Sequence, residues 1–164
     1  MRDELINAAH DSGNPKVAPS RLQLFVAGPL QFGVAEEDVA TIAGWRQPTS
    51  LPHAPESVLG VVSIQGRMLT VLDLARLAGV EPPVIEESYT QIIALRGEEQ
   101  LGLAATAIGE AIDFSPSDAG VGTNGNERFL QGVFTHSGVD VRLLNVSELF
   151  SAALHGRERR RRRF

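Results

Sequence analysis

The sequence has no cysteine among its 164 residues, which excludes disulfide bonds, thiolate metal sites and cysteine nucleophiles. Aromatic residues make up only 5%, so the core is predicted to consist of Val, Ile, Leu and Ala side chains. No apolar run approaches the roughly 18 residues of a membrane-spanning helix, and no signal-peptide pattern begins the chain. We therefore expect a soluble, cytoplasmic protein without membrane insertion.

Basic residues are concentrated at the end of the chain. Residues 157–164 contain six of the fifteen, and without them the net charge of −5 would become −10. An acidic body with a basic tail is not typical of nucleic-acid-binding domains, so we predict no nucleic-acid partner. The tail is predicted to be solvated. The alternative is electrostatic contact with an acidic protein, anionic lipid or nucleic acid through Arg157, Arg159, Arg160, Arg161, Arg162 and Arg163.

The clearest local pattern is a hairpin followed by a short helix. Two apolar runs, Val61–Ile64 and Met68–Leu72, flank Gln65-Gly66-Arg67, which predicts two antiparallel strands joined by a tight turn. Asp73 follows as a predicted helix N-cap, and Gly79 stands where the helix would end.

The same unit occurs twice in the chain. Gly132–Leu149 aligns without a gap to Gly60–Leu77, and Asn145 takes the position of Asp73. An internal repeat of this kind sets the architecture. The similarity extends upstream, where Leu30–Val34 resembles Glu99–Leu103 and the pair Val39 and Ile42 falls opposite Ile108 and Ala111.

The repeat predicts the domain organisation. We expect a flexible N-terminal arm over residues 1–20, one domain over 21–155 and an arginine-rich tail over 156–164. The domain would contain two β-rich subdomains, at about 22–80 and about 89–154.

Short helices are predicted between the strands. Three carboxylates at Glu36–Asp38 would begin one, because they favour the positive end of the helix dipole, and Val39 and Ile42 would share its face. Pro55 would start a second helical piece over Glu56–Leu59.

The last predicted helix covers Asn145–Leu154. Asn145 and Glu148 have the spacing of a capping box. Its packed stripe is predicted to consist of Val146, Leu149, Phe150 and Ala153.

Little in the sequence is suited to catalysis. The four histidines, His10, His53, His136 and His155, are scattered and no spacing gives a metal-binding face. A glycine-rich stretch at residues 120–125 lacks the Lys-Ser/Thr of a phosphate-binding loop, so we predict a surface loop. We predict no catalytic residue, no cofactor and no metal.

Apolar residues occupy both faces of the predicted strands. A small barrel has only one interior, so the second face must be covered by the other copy or by a partner protein. This surplus favours an interaction module over an enzyme.

These motifs, in their order and spacing, resemble the family of CheW, the chemotaxis coupling protein, over Leu22–Phe150. The matching segments are Phe32-Gly33-Val34 with Val39 and Ile42, Leu51–Pro55, Gly60–Gly66, Leu69–Leu74, Leu101-Gly102-Leu103 and Leu144–Leu149.

The resemblance implies an all-β fold with short helices, in which two five-stranded SH3-like β-barrels share a hydrophobic seam. It also implies a non-enzymatic adaptor that couples the cytoplasmic tips of methyl-accepting chemoreceptors to the regulatory domain of a CheA-type histidine kinase. The receptor tip would bind an apolar groove between the barrels. The positions that the resemblance assigns to this groove are Val39, Ile42, Gly60, Gln65, Ile108 and Ala111.

Two positions depart from the family pattern. Gln65 stands in place of a usual arginine and lacks its charge and bidentate geometry, and Thr106 stands where the family often has Asp. One alternative is therefore a divergent paralogue that binds only one of the two partners in a chemotaxis-like pathway. Another is a small-ligand-binding protein or enzyme using the inter-barrel seam, which would require converging polar groups.

Overall fold

The structure, a computed structural model, describes residues 21–80, 89–115 and 128–154. The predictions for the N-terminal arm, the arginine tail, the glycine-rich loop, His10 and His155 lie outside these residues.

Within these ranges, ten strands form two five-stranded sheets. The first sheet has the order β8-β1-β2-β10-β9 and the second has the order β3-β6-β7-β5-β4. The strands are β1 (Arg21–Ala27), β2 (Leu30–Ala35), β3 (Val39–Gly44), β4 (Val58–Ile64), β5 (Arg67–Leu72), β6 (Gln91–Leu95), β7 (Leu101–Ala105), β8 (Ala107–Asp113), β9 (Leu130–His136) and β10 (Val139–Leu144). The helical segments are 3-10 turns at Glu36–Asp38 and Val146–Glu148, helix α1 (Leu74–Leu77) and a C-terminal helix over residues 149–154.

Each sheet combines strands from both copies of the repeat. The first sheet takes β1 and β2 from the N-terminal copy and β8, β9 and β10 from the C-terminal copy, and the second sheet does the reverse. Parallel pairs, β2 with β10 and β5 with β7, join the two contributions. The sheets therefore do not follow the division between the two sequence copies.

The two predicted hairpins are present, and their turns are equivalent. Gln65 and Gly66 have φ values of 52° and 81°, and Ser137 and Gly138 have φ values of 52° and 79°. Positive φ at both central residues matches the right-handed twist of the flanking strands. The residues that the gapless alignment places opposite each other therefore have the same backbone conformation in both turns.

The equivalence extends to the residue that follows each hairpin. The Asp73 N–H donates to the Ser57 carbonyl, and the Asn145 N–H donates to the Phe129 carbonyl, each at 2.7 Å. The Asp73 carboxylate also accepts a hydrogen bond from the backbone N–H of Arg76 at 3.2 Å, which confirms the predicted N-cap of α1.

Three apolar clusters fill the structure. One lies within each sheet, and a third contains side chains from both. Adjacent residues of one strand enter different clusters, as Leu24 and Phe25 do in β1 and Ile92 and Ile93 do in β6. We call the third one the seam cluster; its buried members are Phe25, Ala27, Phe32, Val34, Leu72, Leu74, Ile93, Leu95, Leu101, Leu103, Ala105, Phe129, Leu130, Leu144, Leu149 and Ala153.

The seam cluster accounts for the apolar residues on both faces of the central strands. The second face of these strands is buried by the other sheet, which contains strands of both copies, so neither copy alone covers the other. The predicted all-β fold of two five-stranded units with a shared hydrophobic seam is confirmed. In the described residues, the strand pairing of each unit is an open series between two edge strands.

Side-chain contacts bridge the open edges of both sheets. His136 Nε2 at the end of β9 lies 3.0 Å from Glu110 Oε2 on β8, so these edge strands of the first sheet approach each other. In the second sheet, Arg46 Nη1, just after β3, donates to the Ser63 carbonyl of β4 at 2.6 Å. The sheets are therefore curled, as in partly open barrels.

Two predicted helices are wrong. Glu36–Asp38 form a single 3-10 turn, and Val39 begins a strand rather than continuing a helix. Glu56 and Ser57 form a turn, and strand β4 starts at Val58. In both places a strand gains a neighbouring strand to pair with, and this pairing overrides the local preference for a helix.

The details of the last helix also differ from the prediction. The Asn145 side chain makes no capping bond; its Oδ1 accepts a hydrogen bond from the Ser147 hydroxyl at 2.8 Å. Leu149 and Ala153 are buried as predicted, but Phe150 is 40% exposed. The seam cluster therefore covers a narrower side of this helix than the sequence pattern suggested.

Candidate protein-binding surface

Strands β3 and β8 occupy equivalent edges of the two sheets, and short connections lead into both. Glu36–Asp38 carry the chain from β2 in the first sheet to β3 in the second. Thr106 alone carries it from β7 in the second sheet to β8 in the first. The edges of the two sheets are therefore connected by crossings of three residues and one residue.

A bulge in β3 places Val39 and Ile42 on the same face. Val39 pairs with Leu95 and Ile42 pairs with Ile93, and the register shifts between Val39 and Thr41. Without the extra residue, positions three apart in a strand would face opposite sides. The prediction that Val39 and Ile42 share a face is confirmed, although the predicted helix that led to it is wrong.

Strand β8 has a corresponding irregularity. Ile108 pairs with Phe25, Ala111 pairs with Gln23, and the register shifts between them. Ile108 is half-buried and packs against the seam cluster. Ala111 is also half-buried, and its partner on β1 lies two residues before the partner of Ile108.

The structure thus brings three of the six predicted groove residues to one apolar cluster. Val39, Ile42 and Ile108 all pack against the seam cluster and remain partly exposed. We call these three residues the seam surface. Partly exposed apolar side chains over a rigid core are suited to bind an apolar face of another protein.

Gly60 and Gln65 lie elsewhere, on β4 and its turn, at the other edge of the second sheet. Gly60 is buried, with φ of 142°, and the backbone of Thr49 occupies the space that a β-carbon would take. Gln65 is exposed at the tip of the hairpin. Arg67 Nη2, on the adjacent strand, donates to the Gly97 carbonyl at 3.4 Å.

The Arg21 side chain of β1 contacts both the end of β8 and the Glu36–Asp38 turn. The Arg21 guanidinium lies 2.9 Å from Asp113 Oδ1 and 3.3 Å from Glu36 Oε1, and it donates to the Ala111 carbonyl at 3.4 Å. All three charged side chains are substantially exposed, so each pair stabilises the fold only weakly. Sequence reasoning missed this contact because no local pattern connects residues 15 and 92 positions apart.

Asp38 lies at the crossing into β3 and has an altered acidity. Partial burial raises the pKa of the Asp38 carboxyl, the neighbouring Glu37 carboxylate raises it further, and Arg96 opposes both effects. The Asp38 carbonyl accepts the Arg96 N–H at 2.9 Å, so the crossing is also held to the end of β6. The carboxylate is thus held where its charge is unfavourable.

Thr106 has a structural role at the other crossing. Its hydroxyl accepts a hydrogen bond from the Gly28 N–H at 3.1 Å, and its own N–H donates to the Val26 carbonyl at 2.7 Å. Its carbonyl accepts from the Thr90 hydroxyl at 2.9 Å. An Asp carboxylate would also supply an acceptor for Gly28, so the departure from the family pattern keeps this function.

The described histidines do not form a polar site at the seam. His53 is exposed in the segment between β3 and β4, and His136 contacts Glu110 beside a shallow depression on the first sheet. Across residues 21–80, 89–115 and 128–154, no group of three His, Cys, Asp or Glu side chains has positions that could hold a metal ion. Nor does any helix in these ranges have the length and apolar character needed to cross a membrane.

Comparisons with known proteins indicate one family for this chain. The family model described as "CheW-like domain" matches residues 21–154. The chain is 25% identical over 131 residues to "Probable chemotaxis protein CheW" of Rhizobium etli, which covers 77% of this chain and 84% of that protein. It is 26% identical over 130 residues to "Chemotaxis protein CheW" of Rhizobium meliloti, with the same coverage.

A solved structure has the same fold. The scaffolding protein TtCheW from Thermoanaerobacter tengcongensis superposes with a TM-score of 0.69 at 20% identity, covering 81% of this chain and 88% of that one.

Proposed function

Because the chain belongs to the CheW-like family, a family of chemotaxis scaffolds, we propose that it is a non-enzymatic cytoplasmic adaptor that couples chemoreceptor tips to a CheA-type histidine kinase. The receptor tip would bind at the seam surface, and the kinase regulatory domain would bind elsewhere on the two sheets. One observation carries the proposal: Val39, Ile42 and Ile108, from edge strands of different sheets, pack against the same apolar cluster. This cluster lies within the residues that the family model matches.

The seam surface fits the receptor's chemistry. A receptor tip is a helical hairpin, and a helix binds a protein groove through apolar side chains at helical spacing. Val39 and Ile42 on one edge and Ile108 on the other offer apolar contacts whose burial excludes water. Arg21, Glu36 and Asp113 supply charged groups near the end of β8, where they would affect specificity more than affinity.

Calorimetric titration tests the proposal. The full-length protein is titrated with a receptor signalling-tip fragment and, separately, with the regulatory domain of the kinase. Two variants probe the seam surface: Ile108→Asp adds a charge, and Ala111→Arg adds bulk beside it without removing a core side chain. Met68→Asp is the matched control, because Met68 is an apolar side chain, 56% exposed, on β5.

We expect the wild-type protein to bind both partners. Ile108→Asp and Ala111→Arg should weaken receptor binding about tenfold or more and leave kinase binding unchanged, while Met68→Asp retains receptor binding. Circular dichroism and Tm would verify that each variant is folded. Binding to the receptor alone would favour a divergent relative with one partner, and binding to neither would overturn the proposal.

A further inference from the structure

Ile108 of the seam surface and Ala111 beside it lie on one face of β8. Their partners on β1, Phe25 and Gln23, are two residues apart in the strand, so the side chains of these partners point to the same side of the sheet. Paired residues of neighbouring strands have their side chains on a common face. Ile108 and Ala111 are therefore partly exposed on the same face, and the Gln23 side chain lies directly beside Ala111.

A bulge in β8 makes this arrangement possible. Between the two pairs, β1 has a single residue, Leu24, whereas β8 has two, Gly109 and Glu110. Residues three apart in a regular strand face opposite sides, so the extra residue brings Ile108 and Ala111 to one side. Loss of the bulge would turn one of these two side chains away from the seam surface.

The Gln23 side chain spans the bulge. Its Nε2 donates to the Gly109 carbonyl of β8 at 2.8 Å and to the Leu24 carbonyl of β1 at 3.0 Å. A bulge interrupts the ladder of backbone hydrogen bonds, and the amide supplies donors at this interruption. The two backbones are also close there, because a β-carbon at Gly109 would lie 3.2 Å from the Leu24 carbonyl oxygen. One side chain therefore joins β1 and β8 where their backbone pairing is interrupted.

Two other side-chain contacts reach this part of β8. Glu110 lies 3.0 Å from His136 of β9, but the two side chains are 67% and 30% exposed, so the pair stabilises the fold only weakly. The Arg21 guanidinium donates to the Ala111 carbonyl at 3.4 Å, beyond the usual range of hydrogen-bond lengths. The bond of 2.8 Å from Gln23 is the shortest of the three, and we expect it to contribute most to the position of the bulge.

We propose that Gln23 is a positioning residue for partner binding at the seam surface. The inference rests on the proposed function, because it concerns the same site. By holding the bulge, the Gln23 amide keeps Ile108 and Ala111 on one face before the partner arrives, so that binding does not have to order this edge of the surface. Val39 and Ile42, on β3 of the other sheet, do not depend on it.

Variants of the full-length protein test the inference by two measurements. Amide hydrogen exchange of the free protein is followed at residues 108–111, and calorimetry gives the affinities for the receptor-tip fragment and for the kinase regulatory domain. Gln23→Met has a side chain of similar length without a donor, and Gln23→Lys restores donor hydrogens.

Gln131→Met is the matched control. Gln131 Nε2 donates to the Leu144 carbonyl at 3.2 Å beside a register shift between β9 and β10, so this variant removes the same type of bond at another bulge. Circular dichroism verifies that each variant is folded. Gln23→Glu, which keeps the shape of the side chain but has no donor when ionised, takes the place of Gln23→Met if that variant does not fold.

The expected results follow from the lost donor. In Gln23→Met, exchange at residues 108–111 should accelerate by about fivefold or more, and receptor affinity should fall by a similar factor while kinase affinity stays unchanged. Gln23→Lys should bring both values back toward those of the wild-type protein. Gln131→Met should leave receptor affinity and the exchange of residues 108–111 unchanged.

Three results would overturn the inference. One is exchange at residues 108–111 that Gln23→Met leaves unchanged, and another is faster exchange there without any loss of receptor affinity. The third is acceleration throughout both sheets, which would show that Gln23 supports the whole fold rather than this edge. A wild-type protein that does not bind the receptor tip would overturn the proposed function instead, and the exchange measurement would still decide whether Gln23 holds the bulge.

Discussion

The backbone carbonyl of Thr49 lies against Gly60, in the space that a β-carbon would occupy on any other residue. Two hydrogen bonds fix this contact: the Thr49 N–H donates to the Val61 carbonyl at 2.8 Å, and the Val61 N–H donates to the Thr49 carbonyl at 2.9 Å. Gly60 thus holds the proline-rich segment after β3 against β4. Its importance to the fold follows from this contact, whatever its role in binding.

Gly60→Ala should therefore destabilise the protein by about 3 kcal/mol, since the added methyl group overlaps the Thr49 backbone and φ is 142°. Gly44→Ala is the matched control, because a β-carbon at Gly44 meets nothing within 4 Å. Denaturant unfolding of the two variants compares them directly. Equal stabilities would show that the backbone at Gly60 adjusts without cost.

The two copies of the repeat provide a test of helix capping. Asp73→Ala should cost about 2 kcal/mol, because it removes the acceptor for the Arg76 N–H and the buried carboxylate that lies 3.4 Å from Arg76 Nε. Asn145→Ala should cost less than about 1 kcal/mol, because the Asn145 side chain caps nothing. Chemical unfolding midpoints measure both. A larger loss at Asn145 would contradict this assignment.

The Asp38 carboxylate should make stability depend on pH. Its pKa is raised in the folded protein, so the folded state holds the proton more tightly than the unfolded chain. The resulting penalty is complete above the folded pKa and disappears as pH falls below the ordinary pKa of an aspartate. Asp38→Asn should therefore raise Tm at pH 7. The gain in the free energy of unfolding should be less than about 1 kcal/mol, because water screens this carboxylate.

The gain from Asp38→Asn should vanish near pH 3, where Asp38 is protonated in both states. Glu98→Gln, at an exposed position in the turn after β6, is the control and should leave Tm unchanged at both pH values. Differential scanning calorimetry provides the Tm values. A gain that persists undiminished at low pH would show that the Asp38 charge is not its cause.

Thr106 should tolerate only residues that supply an acceptor. Thr106→Val keeps the shape but leaves the Gly28 N–H without its partner, at a cost of about 1 kcal/mol. Thr106→Asp should stay within about 0.5 kcal/mol of wild type because a carboxylate oxygen replaces the hydroxyl. Thermal unfolding of both variants tests this, and greater stability of the Val variant would disprove it.

The sequence predicted the elements whose causes are local. Gly66 and Gly138 mark turns that need positive φ, and Asp73 has the side chain that an N-cap needs. Apolar residues on both faces of single strands predicted a second buried face but left open what covers it, and the shared seam was implied by the family resemblance. For the two turns and the cap, the determining interactions lie within a few residues of each other along the chain.

The errors arose where distant contacts decide the structure. Val39 and Ile42 have a helical spacing, but pairing with β6 and a bulge place them on one face of a strand. No local pattern predicts that each sheet takes strands from both copies, because corresponding strands of a repeat have similar sequences. The apolar type of Phe150 predicts a core position, but residue type alone does not show how much of a helix the sheets cover.

The short crossings at Glu36–Asp38 and Thr106 have a consequence for recognition. They join the two sheets covalently beside β3 and β8, and backbone hydrogen bonds from Arg96 to Asp38 and from Thr106 to Val26 hold both crossings in place. Because the crossings are so short, the start of β3 stays close to the end of β2, and the start of β8 stays close to the end of β7. A partner at the seam surface would therefore meet a pre-organised site, and little conformational entropy would be lost when it binds.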